Sequence, residues 1–219
     1  MTLRDNWLGF LGKLPSLFFG LFLFALGAVM NLYSDLGMNP WGVFQVGITY
    51  QVPMTLGQVS QVVGLVVLVI GWLLGFAPGF ATFMNMYFIG LFIDLIMEWG
   101  LVPRYGDLPG KLALLLGGIV ALGIGSFFYM NPKLGAGPRD GLMLGFVRKL
   151  DRPVSHVRGA IEVTVLVLGY LLGGPVGIGT VVTALTVGYS VQLFFRLGRY
   201  NRRSSHMDLY ELAKHLTKG

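Results

Sequence analysis

Arg158 and Glu162 stand four residues apart in an otherwise apolar run. On a helix that spacing puts both on one face. In a membrane span each such charge costs about 2.5–3.5 kcal/mol on insertion scales, and pairing lowers that cost. Two chemistries fit. The two residues form a structural ion pair, or Arg158 binds an anion while Glu162 is its counter-ion or carries a proton. His156 opens the same run and offers a proton relay, although a histidine near an interface is commonly just polar. Gln58 and Gln61 are three apart in another apolar run, suited to hydrogen-bonding a substrate or a neighbouring helix. Asn31, Asn85 and Tyr129 are weaker candidates of the same kind. Arg139 and Asp140 are adjacent opposite charges ahead of an apolar stretch, which suggests a polar pocket or a pair resting among headgroups. Asp94 and Glu98, one turn apart, read as solvated or as a cation-attracting vestibule.

Charges this sparse need a scaffold that is mostly lipid-compatible. Apolar residues make up 54% of the chain and charged residues 12%, the balance of one integral membrane domain. Cysteine is absent, so disulfides, thiol chemistry and cysteine metal ligands are excluded. The net charge of +6 sits beside apolar runs, which argues against nucleic acid as a partner and for membrane lipid. No His-Glu-x-x-His, phosphate-binding Walker loop or Gly-x-Ser-x-Gly occurs. The expectation is therefore a protein that is not an enzyme, with no cofactor and no metal.

A block of the chain recurs 98 residues later without a gap. Leu36, Gly37 and Pro40 return as Leu134, Gly135 and Pro138, and the run 67–75 returns as 165–173. Gly79, Thr82, Gly90 and Leu95 return as Gly177, Thr180, Gly188 and Leu193. Six apolar runs predict spans at about Leu14–Tyr33, Leu56–Gly75, Phe80–Glu98, Lys111–Met130, Val154–Gly173 and Ile178–Leu197. Each is near the ~20 residues that cross the hydrocarbon core. The first run follows Arg4 and Lys13 as a signal peptide would, but it has a mate in the second copy and reads as a retained span. Three spans per copy force the second copy to enter from the opposite side, the plan of inverted-repeat transporters. The fold expected is all-α: two inverted three-helix repeats, about 14–98 and 111–197, in a single transmembrane domain over 1–198.

Basic residues orient this bundle. Arg4 and Lys13 precede the first span, Arg148, Lys149 and Arg152 follow the fourth, and Arg196, Arg199, Arg202 and Arg203 follow the sixth. All three regions fall on one side, which the positive-inside rule makes cytoplasmic, together with both termini. The loop bearing Arg148, Lys149 and Arg152 matches Tyr50, Gln51 and Met54 in the first copy, uncharged as the opposite face requires. The tail 199–219 is polar. Leu209, Leu212, Ala213 and Leu216 fit one face of a short helix on the membrane or on a partner, while Ser204-Ser205-His206-Met207 looks like a cloning remnant.

The segments after the first and fourth spans are too long for turns and too apolar for solvated loops. Asn39 is suited to cap a helix and Pro40 to its first turn, and Pro138 fits the same place in the mate. About eleven residues follow, or roughly 17 Å of helix, half a bilayer. Either each half-helix is re-entrant, with its N-terminal N–H groups near the midplane, or it lies at the headgroup boundary with Trp41 as an anchor.

The runs Gly-Met-Asn-Pro-Trp-Gly-Val-Phe-Gln (37–45), Leu-Gly-Ala-Gly-Pro-Arg-Asp-Gly-Leu-Met (134–143), Arg-Gly-Ala-Ile-Glu (158–162) and Gly-Gly-Pro-Val-Gly-Ile-Gly-Thr (173–180) resemble the bacterial YczE/YyaS/YitT membrane-protein family, its YczE branch above all. The resemblance covers about residues 15–198 and implies a multi-pass protein of the bacterial cytoplasmic (inner) membrane. It implies no particular chemistry. The residues themselves suggest a small transporter or channel for a small polar solute, an anion among the candidates. Its site would lie between the repeats, from Asn39, Trp41, Gln58, Gln61, Arg139, Asp140, Arg158 and Glu162, with Glu162 and His156 for proton coupling. The alternative is a non-transporting accessory that scaffolds a partner complex. Small residues on several spans leave room for a homodimer.

Overall fold

The computed structural model describes residues 3–200 and 206–217. Among these there are ten helices and no strand. Six are long and apolar enough to cross a membrane. They are α2 (Leu14–Tyr33), α4 (Leu56–Leu73), α5 (Phe80–Glu98), α6 (Leu108–Met130), α8 (Val154–Leu171) and α9 (Ile178–Leu197). Two shorter helices, α3 (Pro40–Thr49) and α7 (Pro138–Leu150), follow α2 and α6. α1 (Leu3–Leu11), not expected from the sequence, and α10 (Leu209–Thr217) lie at the ends.

Local chemistry sets most boundaries. The Asn39 side chain accepts from the Gly42 N–H at 2.9 Å, and Pro40 opens α3, as its missing N–H favours. Thr55 and Gln58 form a reciprocal capping box at the start of α4. The α4–α5 and α8–α9 turns end in the same way. Gly75 and Gly173 adopt positive φ (89° and 84°), and the next N–H reaches back, Phe76 to Gly71 O at 3.0 Å and Gly174 to Gly169 O at 2.9 Å. Each is a left-handed glycine stop that satisfies end carbonyls otherwise left in lipid.

α2 and α6 form the centre and run antiparallel. A Cβ on Gly20 would come within 2.8 Å of Gly125 O, and one on Gly27 within 2.7 Å of Gly118 O. Glycine at these four positions lets the two backbones touch. On another stripe of α2, Leu17, Leu21, Ala25 and Val29 recur every four residues and are fully buried. α5 packs on α2, and α9 on α6. α3 packs along α8 and α7 along α4, so each short helix leans on a spanning helix from the other half. Seven of the ten residues of α3 are buried, Trp41 among them. A flat interfacial helix anchored by an outward Trp41 does not describe that environment.

The loops ahead of α3 and α7 are stitched crosswise. Leu36 O accepts from Gly179 N–H at 2.6 Å, and Leu134 O accepts from Ala81 N–H at 2.8 Å. Both chain ends meet at one end of the bundle, where Asn6 Nδ2 donates to His215 O at 2.9 Å. The tail is docked rather than free. Met207 N–H bonds Lys133 O at 3.0 Å, Leu209 N–H bonds Pro78 O at 3.2 Å, and Leu212 is buried. Arg202, Arg203, Ser204 and Ser205, named above for their charge and their resemblance to a cloning remnant, lie outside the described residues.

Candidate functional site

The first turns of α3 and α7 meet inside the bundle. Trp41 is 6% exposed and packs with Val59, Val63 and Val67 of α4, Leu142 of α7 and Val165 of α8. The Arg139 guanidinium carbon sits 4.6 Å from the centroid of the Trp41 ring, a cation–π contact. Where water is largely excluded such a contact is worth about 2 kcal/mol or more. No described residue accepts a hydrogen bond from Arg139. Its fork of donors borders a cavity of ≈ 20 Å³ lined also by Met38, Asn39, Gly42, Gln45, Ser60 and the apolar Phe24, Ala28, Leu56, Ile89 and Ile93. That is room for about one water. Gln45 Nε2 donates to Ser60 Oγ across it at 3.4 Å, a long bond between two buried side chains.

Behind Arg139 the remaining charges converge. Tyr129 O–H lies 3.5 Å from Asp140 Oδ2, at the limit of a hydrogen bond. Arg158 Nε and Glu162 Oε1 are 3.9 Å apart, as an i,i+4 pair on α8, with Arg158 63% exposed and Glu162 33%. Glu162 acts on the Arg139 charge and Arg158 on that of Asp140, so two arginines and two carboxylates form one electrostatic group. The tail reaches its edge. His206 Nε2 is 3.1 Å from Tyr200 O–H. Burial lowers the His206 pKa from its ordinary value while Asp140 pulls it upward.

Of the residues singled out from the sequence, Asn39, Trp41, Tyr129, Arg139, Asp140, Arg158 and Glu162 gather here, with Asn85 beside Tyr129 and Asp140 at Gly137. The others are placed elsewhere. Gln58 closes the α4 capping box, its Oε1 accepting from Thr55 N–H at 3.1 Å. Gln61 Nε2 donates to Tyr87 O of α5 at 3.0 Å. His156 is exposed on the first turn of α8. Asn31 is wholly buried in α2 with neither side-chain polar atom bonded. Asp94 is not simply solvated. Its Oδ1 accepts from Gly57 N–H at 2.8 Å and its Oδ2 from Thr55 O–H at 2.6 Å, which ties α5 to the start of α4. Sequence reasoning missed Gln45 and Ser60. One signal was available for Ser60, because Arg158 occupies its place in the second copy. Among the described residues no cluster of His, Cys, Asp or Glu is arranged to hold a metal ion.

Comparison with known proteins gives kinship without an activity. A profile described as "Family of unknown function (DUF6198)" matches residues 11–196. An uncharacterized protein of Haemophilus influenzae is 34% identical over 181 residues, spanning 83% of this chain and 82% of that protein. The uncharacterized membrane protein YczE of Bacillus subtilis is 33% identical over 175 residues, 78% of this chain and 80% of YczE. YyaS of the same organism is 27% identical over 181 residues, 80% and 88% of the two chains. The resemblance read from the sequence to YczE and YyaS is therefore borne out. No solved structure matches the chain.

Proposed function

The chain is a membrane protein belonging to the DUF6198 family of unknown function, and on that premise we propose that it carries a small polar, anionic solute across the bacterial inner membrane. Arg139 is the residue that holds the solute. The observation behind this reading is a guanidinium with no hydrogen-bonded acceptor among the described residues, braced on Trp41 and bordering an interior cavity with Asn39, Gln45 and Ser60. Arginine presents a planar fork of donors suited to a carboxylate or a similar oxyanion. The α3 N-terminus adds partial positive charge from the other half.

The same reading treats the chain as two inverted repeats about a two-fold axis in the membrane plane. Reciprocal contacts support it. Gly20 meets Gly125 and Gly27 meets Gly118, and adding 98 to Gly20 and Gly27 gives Gly118 and Gly125. The bond from Gly179 to Leu36 likewise maps onto that from Ala81 to Leu134 when the halves exchange. Such exchange is what two-fold symmetry produces, and an antiparallel pair of matching helices needs an axis across the bundle. Rocking one repeat against the other then exposes the site to either face. By the positive-inside rule, the reading assigns the end with the basic residues near α7 and α9, and both termini, to the cytoplasm. In this reading Glu162 carries a coupling proton.

A thermal-shift screen of the purified protein against small carboxylates, phosphate, amino acids and amines tests the proposal. An anion should raise the melting temperature, and Arg139→Gln should remove that rise while Arg148→Gln keeps it. Stabilisation by amines alone, or an anion effect untouched in Arg139→Gln, would overturn it.

A further inference from the structure

Two pairs of helices flank the proposed site, and they are unequal. α4 and α5 are sealed together. Gly57 and Gly90 meet backbone to backbone, and a Cβ on either would run into the other's carbonyl. Asp94 bonds Thr55 O–H and Gly57 N–H at 2.6 and 2.8 Å, and Gln61 bonds Tyr87 O at 3.0 Å. The matching helices α8 and α9 have no comparable packing. Gly159 and Gly188, which stand where Gln61 and Gly90 stand in the first copy, would each offer a Cβ only open space. Ser155 and Gln192, in the places of Gly57 and Asp94, are exposed. Only 17% of the α8 span is buried, against 44% of α4. The seam that is open is also the one beside Arg158 and Glu162, which reach Arg139 and Asp140 electrostatically.

From this we infer that the two seams are opposite gates of one pathway, that Asp94 latches the α4–α5 gate, and that the structure is the state with that gate shut and the α8–α9 gate open. The inference rests on the transport reading and adds its conformational cycle. In the other state α8 closes on α9 as α4 now lies on α5, and Asp94 lets go. The inequality has a chemical source. A carboxylate gripping the first-turn N–H and hydroxyl of α4 makes charge-assisted bonds at the positive end of that helix. In the second copy a neutral amide, Gln192, stands in the place of Asp94, Ser155 in that of Gly57 and Pro153 in that of Thr55. The first gate is therefore the tighter one, and the resting state is biased toward opening at the basic end.

The natural lack of cysteine makes the test clean. Ser155→Cys with Gln192→Cys, in the full chain reconstituted in lipid vesicles, places thiols where Gly57 and Asp94 touch in the sealed seam. Mild oxidation should cross-link them slowly, and adding Asp94→Asn, or separately Thr55→Val, should speed the reaction several-fold. A cooperative melting transition retained above the assay temperature in the Asp94→Asn and Thr55→Val proteins would show that the fold persists. No cross-link in any of these backgrounds, or a rate indifferent to both latch variants, would overturn the gates. The readout needs no solute. Gating with no anion binding at Arg139 would remove the proposed cargo alone, and anion binding with a seam that never closes would remove the gates alone.

Discussion

α3 and α7 hold the same place in the two halves, yet one is built for packing and the other for charge. α3 begins with a side-chain cap from Asn39, buries Trp41, Val43 and Val46, and has no ionisable residue. α7 begins at Gly137 with no side-chain cap, carries Arg139 and Asp140 in its first turn and Arg148 and Lys149 in its last, and buries four of thirteen residues. What they share is geometric: proline at the first position, a glycine seven residues on, and a seat on the other half's spanning helix. Backbone placement is thus common to both, while position 41 supplies a rigid aromatic surface and position 139 the guanidinium that rests on it.

The largest effect expected is at that pair of positions. Trp41→Ala should cost about 3–5 kcal/mol, the range for emptying a large aromatic from a packed core. Arg139→Met should cost less, about 2 kcal/mol for the lost contact with the Trp41 ring, because it keeps the stem's volume and breaks no hydrogen bond to a described residue. Chemical or thermal denaturation of both variants in one detergent checks this. Equal losses would erase the division of labour between the two helices.

The parts of this arrangement that could be read from sequence were those governed by local chemistry. α2, α5 and α9 begin and end where the apolar runs do, because lipid tolerates little polar backbone within them. Asn39-Pro40 announced its own cap. The parts not legible depend on partners distant in the chain. Gln58 and Gln61 look like one polar face, but a helix start uses the first and a carbonyl of α5 the second. Gln45 gains its meaning only beside Ser60, and Asp94 only beside Thr55 and Gly57. α1 was invisible for a similar reason, since the partner of its buried Asn6 is the carbonyl of His215 near the other chain end.

An intermediate effect is expected where the helices agree. A Cβ on Gly47 would come within 2.8 Å of Gly169 O, and one on Gly145 within 2.6 Å of the Leu74 Cβ. Gly47→Ala and Gly145→Ala should each destabilise, by about 1–3 kcal/mol as overpacked sites do. Gly47→Ala should be the worse of the two, because its obstacle is backbone whereas Leu74 is a side chain at a turn. If Gly145→Ala alone were disruptive, α7 would be the more tightly held helix and the sense of the comparison would reverse.

The smallest effect concerns the caps. Asn39 accepts from Gly42 N–H, so Asn39→Ala leaves that donor without its partner and should cost about 1 kcal/mol. Asn39→Gly should cost only a few tenths, because glycine tolerates the cap conformation. Gly137 already plays that role in α7, where Asp140 occupies the position of Gly42. A melting series of Asn39, Asn39→Gly and Asn39→Ala should therefore step down unevenly, with the larger drop at alanine. An equal cost for glycine and alanine would mean that the Asn39 side chain serves the cavity it lines rather than the helix it starts, and α3 would then share the polar role assigned here to α7.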